Sequence, residues 1–174
     1  MKKGSRGFSL IELLIVVAII LIIAAIAIPN LLRSRIAANQ ASAVGSLRTL
    51  NTAEVTYSTT YNVGFTPNLA DLGPPAAGSN PSASFAGLVD EVLSGIGSAG
   101  GTAANPLVST KSGYQFTYAV TATDTNGHTI TYSIEATPVS PGTTGTNFYY
   151  TDQSGVIRQN STTVAGSTDS PLAG

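Results

Sequence analysis

The hydrophobic and polar positions divide the chain into an apolar N-terminal part and a polar remainder. In residues 8–28 the only polar side chains are Ser9 and Glu12, and residues 13–28 are apolar without interruption. A helix over residues 8–28 would be roughly 31 Å long, about the thickness of the hydrocarbon core of a bilayer. We therefore predict a helix that can span a membrane.

Beyond Pro29 the pattern predicts that the helix continues in amphipathic form. Gln40 and Glu54 interrupt a single apolar stripe. Its members recur at spacings of three and four residues: Leu32, Ile36, Ala43, Leu47, Leu50, Tyr57 and Tyr61. Pro29 removes one backbone hydrogen bond, so we expect the helix to bend there. The turn residues 62–64, followed by Pro67, predict its end.

Residues 62–112 form a connecting region with one predicted short helix. Its extent is about 82–94, because one set of apolar residues shares a helical spacing: Phe85, Leu88, Val89, Val92, Leu93 and Ile96. Residues 95–100 match the dinucleotide-binding pattern G-x-G-x-x-G. The pattern needs a preceding strand and a following helix, so we interpret the glycine-rich run 95–101 as a linker.

Alternating apolar and polar residues predict an antiparallel sheet over 113–160. Four strands are expected, at 114–121, 130–136, 147–151 and 156–159. Asn126 and Gly127 favour a two-residue type I′ hairpin, and residues 152–155 predict another turn. The apolar face of this sheet is expected to pack on the distal half of the long helix, which gives an α+β fold. Residues 161–174 are small and polar and predict a flexible tail.

Composition narrows the possible functions. The net charge is −1, with 10% charged residues, so there is no basic surface to hold nucleic acid. The chain has no Cys and one His, which excludes disulfides, Cys nucleophiles and the usual zinc sites. His128 and Asp124 suggest part of a catalytic triad, but His128 directly follows the hairpin turn. No enzyme, cofactor or nucleic-acid partner is predicted.

Asp124, Asp152 and Asp169 are the carboxylates expected in loops of the sheet region. Of these, Asp124 and Asp152 are the candidate calcium ligands. None of the three has the dense spacing of oxygen ligands found in a calcium loop, and Asp is common in turns. The sequence therefore favours turn aspartates and predicts no metal site.

The N-terminus permits three interpretations. Lys2, Lys3 and Arg6, with the small residues at 25–27, suggest a secretory signal peptide. The apolar run is longer than the usual core of a signal peptide, and Glu12 lies inside it. A plain membrane anchor is the second interpretation, but anchoring does not require Glu12, and acids within membrane segments are functional candidates with a partner to be named.

The third interpretation is a resemblance that supplies this partner. Residues 7–20 read GFSLIELLIVVAII. The segment resembles the cleavage and methylation segment of type IV pilins and of type II secretion pseudopilins. The likeness combines a short basic leader, Gly7 before the cut, Phe8 after it, an acid four residues on at Glu12, and a long aliphatic run. Pro29 lies where this family has a helix kink.

The resemblance implies a fold and a set of functional residues. A prepilin peptidase would cut between Gly7 and Phe8, remove the leader 1–7 and methylate the new amine of Phe8. Residues 8–29 would form the membrane and filament-core half of the helix, and 30–61 its amphipathic half. Glu12 would pair with the Phe8 amine of a neighbouring subunit. The expected molecule is a lollipop-like pilin.

The implied function is that of a type IVa-like major pilin. The subunit would wait in the inner membrane, meet the pilus assembly platform and polymerise with copies of itself into an extracellular filament. A pseudopilin of a type II secretion system, forming a periplasmic filament, remains the first alternative. A membrane-tethered binding domain that does not polymerise remains the second.

Overall fold

A computed structural model of the chain describes residues 8–96 and 108–172. Its elements in chain order are helix α1 (Leu10–Tyr61), a 3-10 helix (Leu69–Leu72), helix α2 (Glu91–Ser94), and strands β1 (Val108–Lys111), β2 (Tyr114–Thr123), β3 (Thr129–Pro138), β4 (Phe148–Asp152) and β5 (Arg158–Asn160). The chain separates into two compact units, divided between Arg35 and Ile36.

The described part of the first unit consists of Phe8, Ser9 and the N-terminal part of α1. Almost every side chain here is exposed, including the long aliphatic run predicted from the sequence. Among the described residues, α1 is the helix long and apolar enough to cross a membrane. The helix is continuous through Pro29. The bend expected at Pro29 stays a prediction.

The second unit is built on an antiparallel sheet in the order β1-β2-β3-β4-β5. The predicted α+β fold is confirmed, but the predicted count of four strands was one short. β1 pairs with β2 across a two-residue turn at Ser112 and Gly113, where both φ angles are positive. The sequence V-S-T-K of β1 contains one apolar residue, so alternation gave too weak a signal to predict it.

The hairpin between β2 and β3 differs from the predicted two-residue turn. Gly127 has a positive φ of 85°, but Asn126 does not, so the pair does not form a type I′ turn. Asp124 N–H donates to the carbonyl of His128 at 2.9 Å, which encloses a three-residue loop. The carboxylate of Asp124 also accepts from the N–H groups of Asn126 and His128, which stabilises the longer loop.

The helix predicted over 82–94 is confined to its last residues, in α2. Gly87 has a positive φ of 67°, which interrupts any helix. The N–H groups of Ala86, Gly87 and Leu88 donate to the carbonyls of residues 71–73 instead. The pairing of this segment with the 3-10 helix region therefore replaces the helical hydrogen bonds. Most of the linker predicted at 95–101 lies outside the described residues.

The core of the second unit lies between α1 and one face of the sheet. Buried α1 side chains such as Leu47, Leu50 and Tyr57 belong to the same cluster as the inward-facing residues of β2, β3 and β4. Those strand residues are Tyr114, Phe116, Tyr118, Tyr132, Ile134, Ala136 and Tyr149. This arrangement confirms the predicted packing of the distal half of the helix on the sheet.

The segment predicted as a flexible tail folds back onto the sheet over its described residues. Gln159 N–H donates to the carbonyl of Ser170 at 3.0 Å, and Leu172 N–H donates to that of Ile157 at 2.8 Å. The carboxylate of Asp169 accepts from Gly166 N–H at 2.8 Å. The segment is held because its backbone pairs with β5, which its small polar side chains did not reveal.

Candidate processing and assembly site

The candidate site lies at the start of α1. Phe8 precedes the helix, and its side chain is 73% exposed. Ser9 N–H donates to Oε2 of Glu12 at 2.9 Å, and Leu13 N–H donates to the carbonyl of Ser9 at 3.2 Å. A glutamate that reaches back from the first turn to the residue before the helix is one half of a capping box. The sequence S-L-I-E therefore fixes where the helix begins.

This capping holds the carboxylate of Glu12 at the backbone nitrogen of Ser9, the residue that follows Phe8. Glu12 lies in the first turn, where the positive end of the helix dipole favours a negative charge. Its hydrogen bond to Ser9 N–H holds it one residue away from Phe8. The acid nearest to the expected cleavage position is therefore oriented toward the start of the helix. Gly7 lies outside the described residues.

The candidate calcium ligands lie in separate turns. Asp124 accepts hydrogen bonds from Asn126 and His128 N–H in the β2–β3 loop, and these bonds hold the pKa of its carboxyl below the usual range. Asp152 accepts from Ser154 N–H in the turn after β4. Residues 8–96 and 108–172 contain no group of three His, Cys, Asp or Glu placed to hold a metal ion. The geometry supports local turn roles for both aspartates.

His128 lies beside Asp124 at the same loop. Its Nδ1 atom is 3.2 Å from Oδ2 of Asp124, and the imidazole is 42% exposed. Both side chains lie at the loop of the β2–β3 hairpin, and their contact stabilises that loop. Its position matches the interpretation that His128 follows a turn.

Glu54 is a buried acid that the sequence reveals only as an interruption of the apolar stripe. It is fully buried between α1 and the sheet. Its carboxylate accepts from Thr66 N–H at 2.9 Å and from the Thr66 hydroxyl at 2.5 Å. Burial raises the pKa of the Glu54 carboxyl to about 7. The sequence shows an acid within the apolar stripe, but it does not show that Thr66 donates the hydrogen bonds to that acid.

Comparison with known proteins gives one family match and two similar relatives. Residues 2–28 match the family model of the prokaryotic N-terminal methylation motif. The chain is 40% identical over 102 residues to the type IV major pilin protein PilA of Myxococcus xanthus, covering 42% of this chain and 46% of that protein. It is 62% identical over 37 residues to the type IV wide pilus major component PilA4 of Thermus thermophilus, covering 21% of this chain and 28% of that protein. No solved structure matches the chain.

These findings confirm the resemblance carried by residues 7–20. The chain is similar to type IV major pilins, and its N-terminal segment has the methylation motif. The pseudopilin alternative gains no comparable support, since both relatives are pilus components. The matched region covers less than half of either relative.

Proposed function

We propose that the chain is the precursor of a type IV major pilin, a structural subunit without enzymatic activity. The observation that carries the proposal is Glu12, an acid near the start of an exposed apolar helix that matches the methylation motif. Similarity to two major pilus components supports the same function.

Processing creates the charge that Glu12 needs. A prepilin peptidase cuts between Gly7 and Phe8, which removes Lys2, Lys3 and Arg6 and frees the amine of Phe8 for methylation. The net charge from side chains changes from −1, with eight bases and nine acids, to −4, with five bases and nine acids. The new amine is the positive charge nearest to Glu12 along the chain. Cleavage therefore prepares the subunit for pairing.

Assembly then hides the apolar helix. Each square ångström of apolar surface removed from water contributes about 25 cal/mol, so the exposed side chains of the first unit must lie in a membrane or against other copies. The subunit waits in the inner membrane, and the assembly platform transfers it into an extracellular filament. There Glu12 pairs with the Phe8 amine of a neighbour, because an ion pair in apolar surroundings is strong and an unpaired acid is penalised.

Mass spectrometry of the mature N-terminus tests this proposal. Protein sheared from the surface of native cells should begin at Phe8 and carry one added methyl group on its amine. The matched control is a Gly7→Arg variant, which should retain the leader and remain in the membrane fraction. A first residue after Ala27 or an intact Met1 in sheared protein would contradict the proposal and favour an ordinary secreted or anchored protein.

A further inference from the structure

Glu54 lies where three parts of the second unit meet. Its carboxylate accepts from the backbone N–H and the hydroxyl of Thr66, which lies in the segment leading away from α1. The hydroxyl of Tyr118 on β2 donates to the carbonyl of Thr66 at 2.6 Å. Phe65 N–H donates to the carbonyl of Thr129 on β3 at 2.8 Å. One short segment is thus fastened to the helix through Glu54 and to the sheet through its backbone.

Within residues 8–96 and 108–172, no ion pair brings a positive charge to Glu54. Asp71, from the 3-10 helix, acts on its carboxyl and disfavours ionisation. Tyr57 of α1, Tyr118 of β2 and Tyr132 of β3 are the titratable side chains packed nearest, and each is neutral at physiological pH. In the described parts of the chain, the ion pairs are Lys111 with Asp90 and His128 with Asp124, and neither includes Glu54. Ionised Glu54 would therefore be a buried charge balanced by hydrogen bonds alone.

We propose that Glu54, Thr66 and Tyr118 form a proton-operated latch that fastens residues 65–66 to α1. When Glu54 is protonated, Oε2 accepts from Thr66 N–H, the acid donates through Oε1 to the Thr66 hydroxyl, and that hydroxyl turns its own proton to the Tyr118 hydroxyl 3.4 Å away. When the pH rises, the acid proton passes to solvent, no other covalent bond changes, and the uncompensated buried charge loosens residues 65–66 from α1. All three residues belong to the second unit, whereas Phe8 and Glu12 belong to the first.

The direction of the effect follows from linkage between protonation and folding. The pKa of Glu54 is about 7 in the folded chain, against the ordinary value of 4.5. Stability from the bound proton is fully present below pH 4.5 and is lost as the pH rises through 7. The pKa of Asp71, raised to about 6 by partial burial, adds a smaller change of the same sign. The pKa values of Asp90 and Asp124 are lowered, so their contributions are lost only in more acidic solution.

Hydrogen–deuterium exchange of the full chain in detergent micelles tests the latch. We expect protection of the peptide containing Phe65 and Thr66, corrected for the intrinsic exchange rate, to fall on the order of 100-fold between pH 5 and pH 8.5. In Glu54→Gln the protection should be nearly constant, since the amide keeps the shape and cannot ionise. Glu135→Gln is the matched control, because Glu135 lies on β3 outside this cluster and should leave the wild-type dependence unchanged.

Two further variants test which neighbours of Glu54 set the pH at which protection falls. Thr66→Val removes one donor to the carboxylate, so the midpoint of the pH dependence should move to higher pH. Asp71→Asn should lower that midpoint while a clear dependence remains. Constant protection in the wild type, or a dependence that persists unchanged in Glu54→Gln, would overturn the proposal. If Glu54→Gln fails to fold, an unmoved midpoint in Thr66→Val would overturn it equally.

Discussion

Two glutamates on α1 show how position decides what a carboxylate does. Glu12 is exposed and accepts one hydrogen bond from Ser9 N–H. Glu54 is fully buried and is satisfied by Thr66. Both interrupt apolar stretches of sequence, yet one is available to a second molecule and the other is committed within its own unit.

The capping contact of Glu12 allows its charge to be tested apart from its hydrogen bond. In Glu12→Gln the side chain can still accept from Ser9 N–H, so α1 should begin at the same place. The variant should insert into the membrane, but surface filaments should fall at least tenfold, because the pair with the Phe8 amine is lost. The measurement is the amount of subunit in sheared and membrane fractions.

Two companion variants complete that experiment. Glu12→Ala removes both the cap and the charge and should fail at least as strongly as Glu12→Gln. Glu91→Gln alters another exposed acid in the first turn of a helix and should assemble normally. Normal filaments from Glu12→Gln would show that capping, and not charge, is what assembly requires.

The sequence identifies Glu12 as a candidate whose role in assembly stays a prediction, and it gives no role for Glu54. Glu12 was identifiable because it lies four positions after Phe8 and at the start of a long apolar run. The role of Glu54 depends on Thr66 and on Tyr118, which is 64 positions away along the chain. Contacts of that separation arise from the packing of α1 on the sheet, and a hydrophobic pattern does not contain them.

Among the elements, the β2–β3 hairpin offers a direct test of the calcium interpretation. Asp124→Ala removes the acceptor of the Asn126 and His128 N–H groups, so the melting temperature of the full chain should fall. The fall should be the same with calcium and with a chelator, because the carboxylate acts within the turn. Differential scanning calorimetry in detergent measures both conditions.

Thr125→Ala is the control for that loop. Thr125 is exposed in the same hairpin. The melting temperature of Thr125→Ala should therefore equal that of the wild type. A calcium-dependent rise in the melting temperature of the wild type that disappears in Asp124→Ala would show that Asp124 binds the ion.

Element prediction depended on the strength of the local pattern. α1, β2 and β3 follow long, regular periodicities and were predictable. β1 was missed because its sequence barely alternates, and residues 82–90 were assigned to a helix because their spacing is helical. The carbonyls of residues 71–73 compete for the same N–H groups, and Gly87 permits the backbone that this pairing needs. Tertiary hydrogen bonding outweighed local periodicity there.

At the scale of the whole molecule, the core belongs to the second unit. Within the described residues, every buried apolar side chain lies between Ala43 and Ala165. A fragment of residues 36–174 should therefore fold, remain monomeric without detergent and unfold cooperatively on heating. Size-exclusion chromatography and circular dichroism measure these properties.

A shorter fragment provides the matched comparison. Residues 49–174 lack the buried side chains of Ala43, Val44 and Leu47, and the loss of a buried Leu side chain alone costs about 2–5 kcal/mol. This fragment should be unfolded or aggregated. A stable fold from 49–174, or aggregation of 36–174, would contradict the assignment of the core.

The C-terminal segment pairs with β5 and so covers an edge of the sheet that other chains could otherwise join. Its backbone accepts from Gln159 N–H and donates to the carbonyl of Ile157, and Pro171, opposite Arg158, has no N–H to offer a further strand. Unpaired strand edges recruit other chains into amyloid-like growth. The segment therefore covers this edge of the sheet and disfavours aggregation through it wherever copies of the chain lie close together.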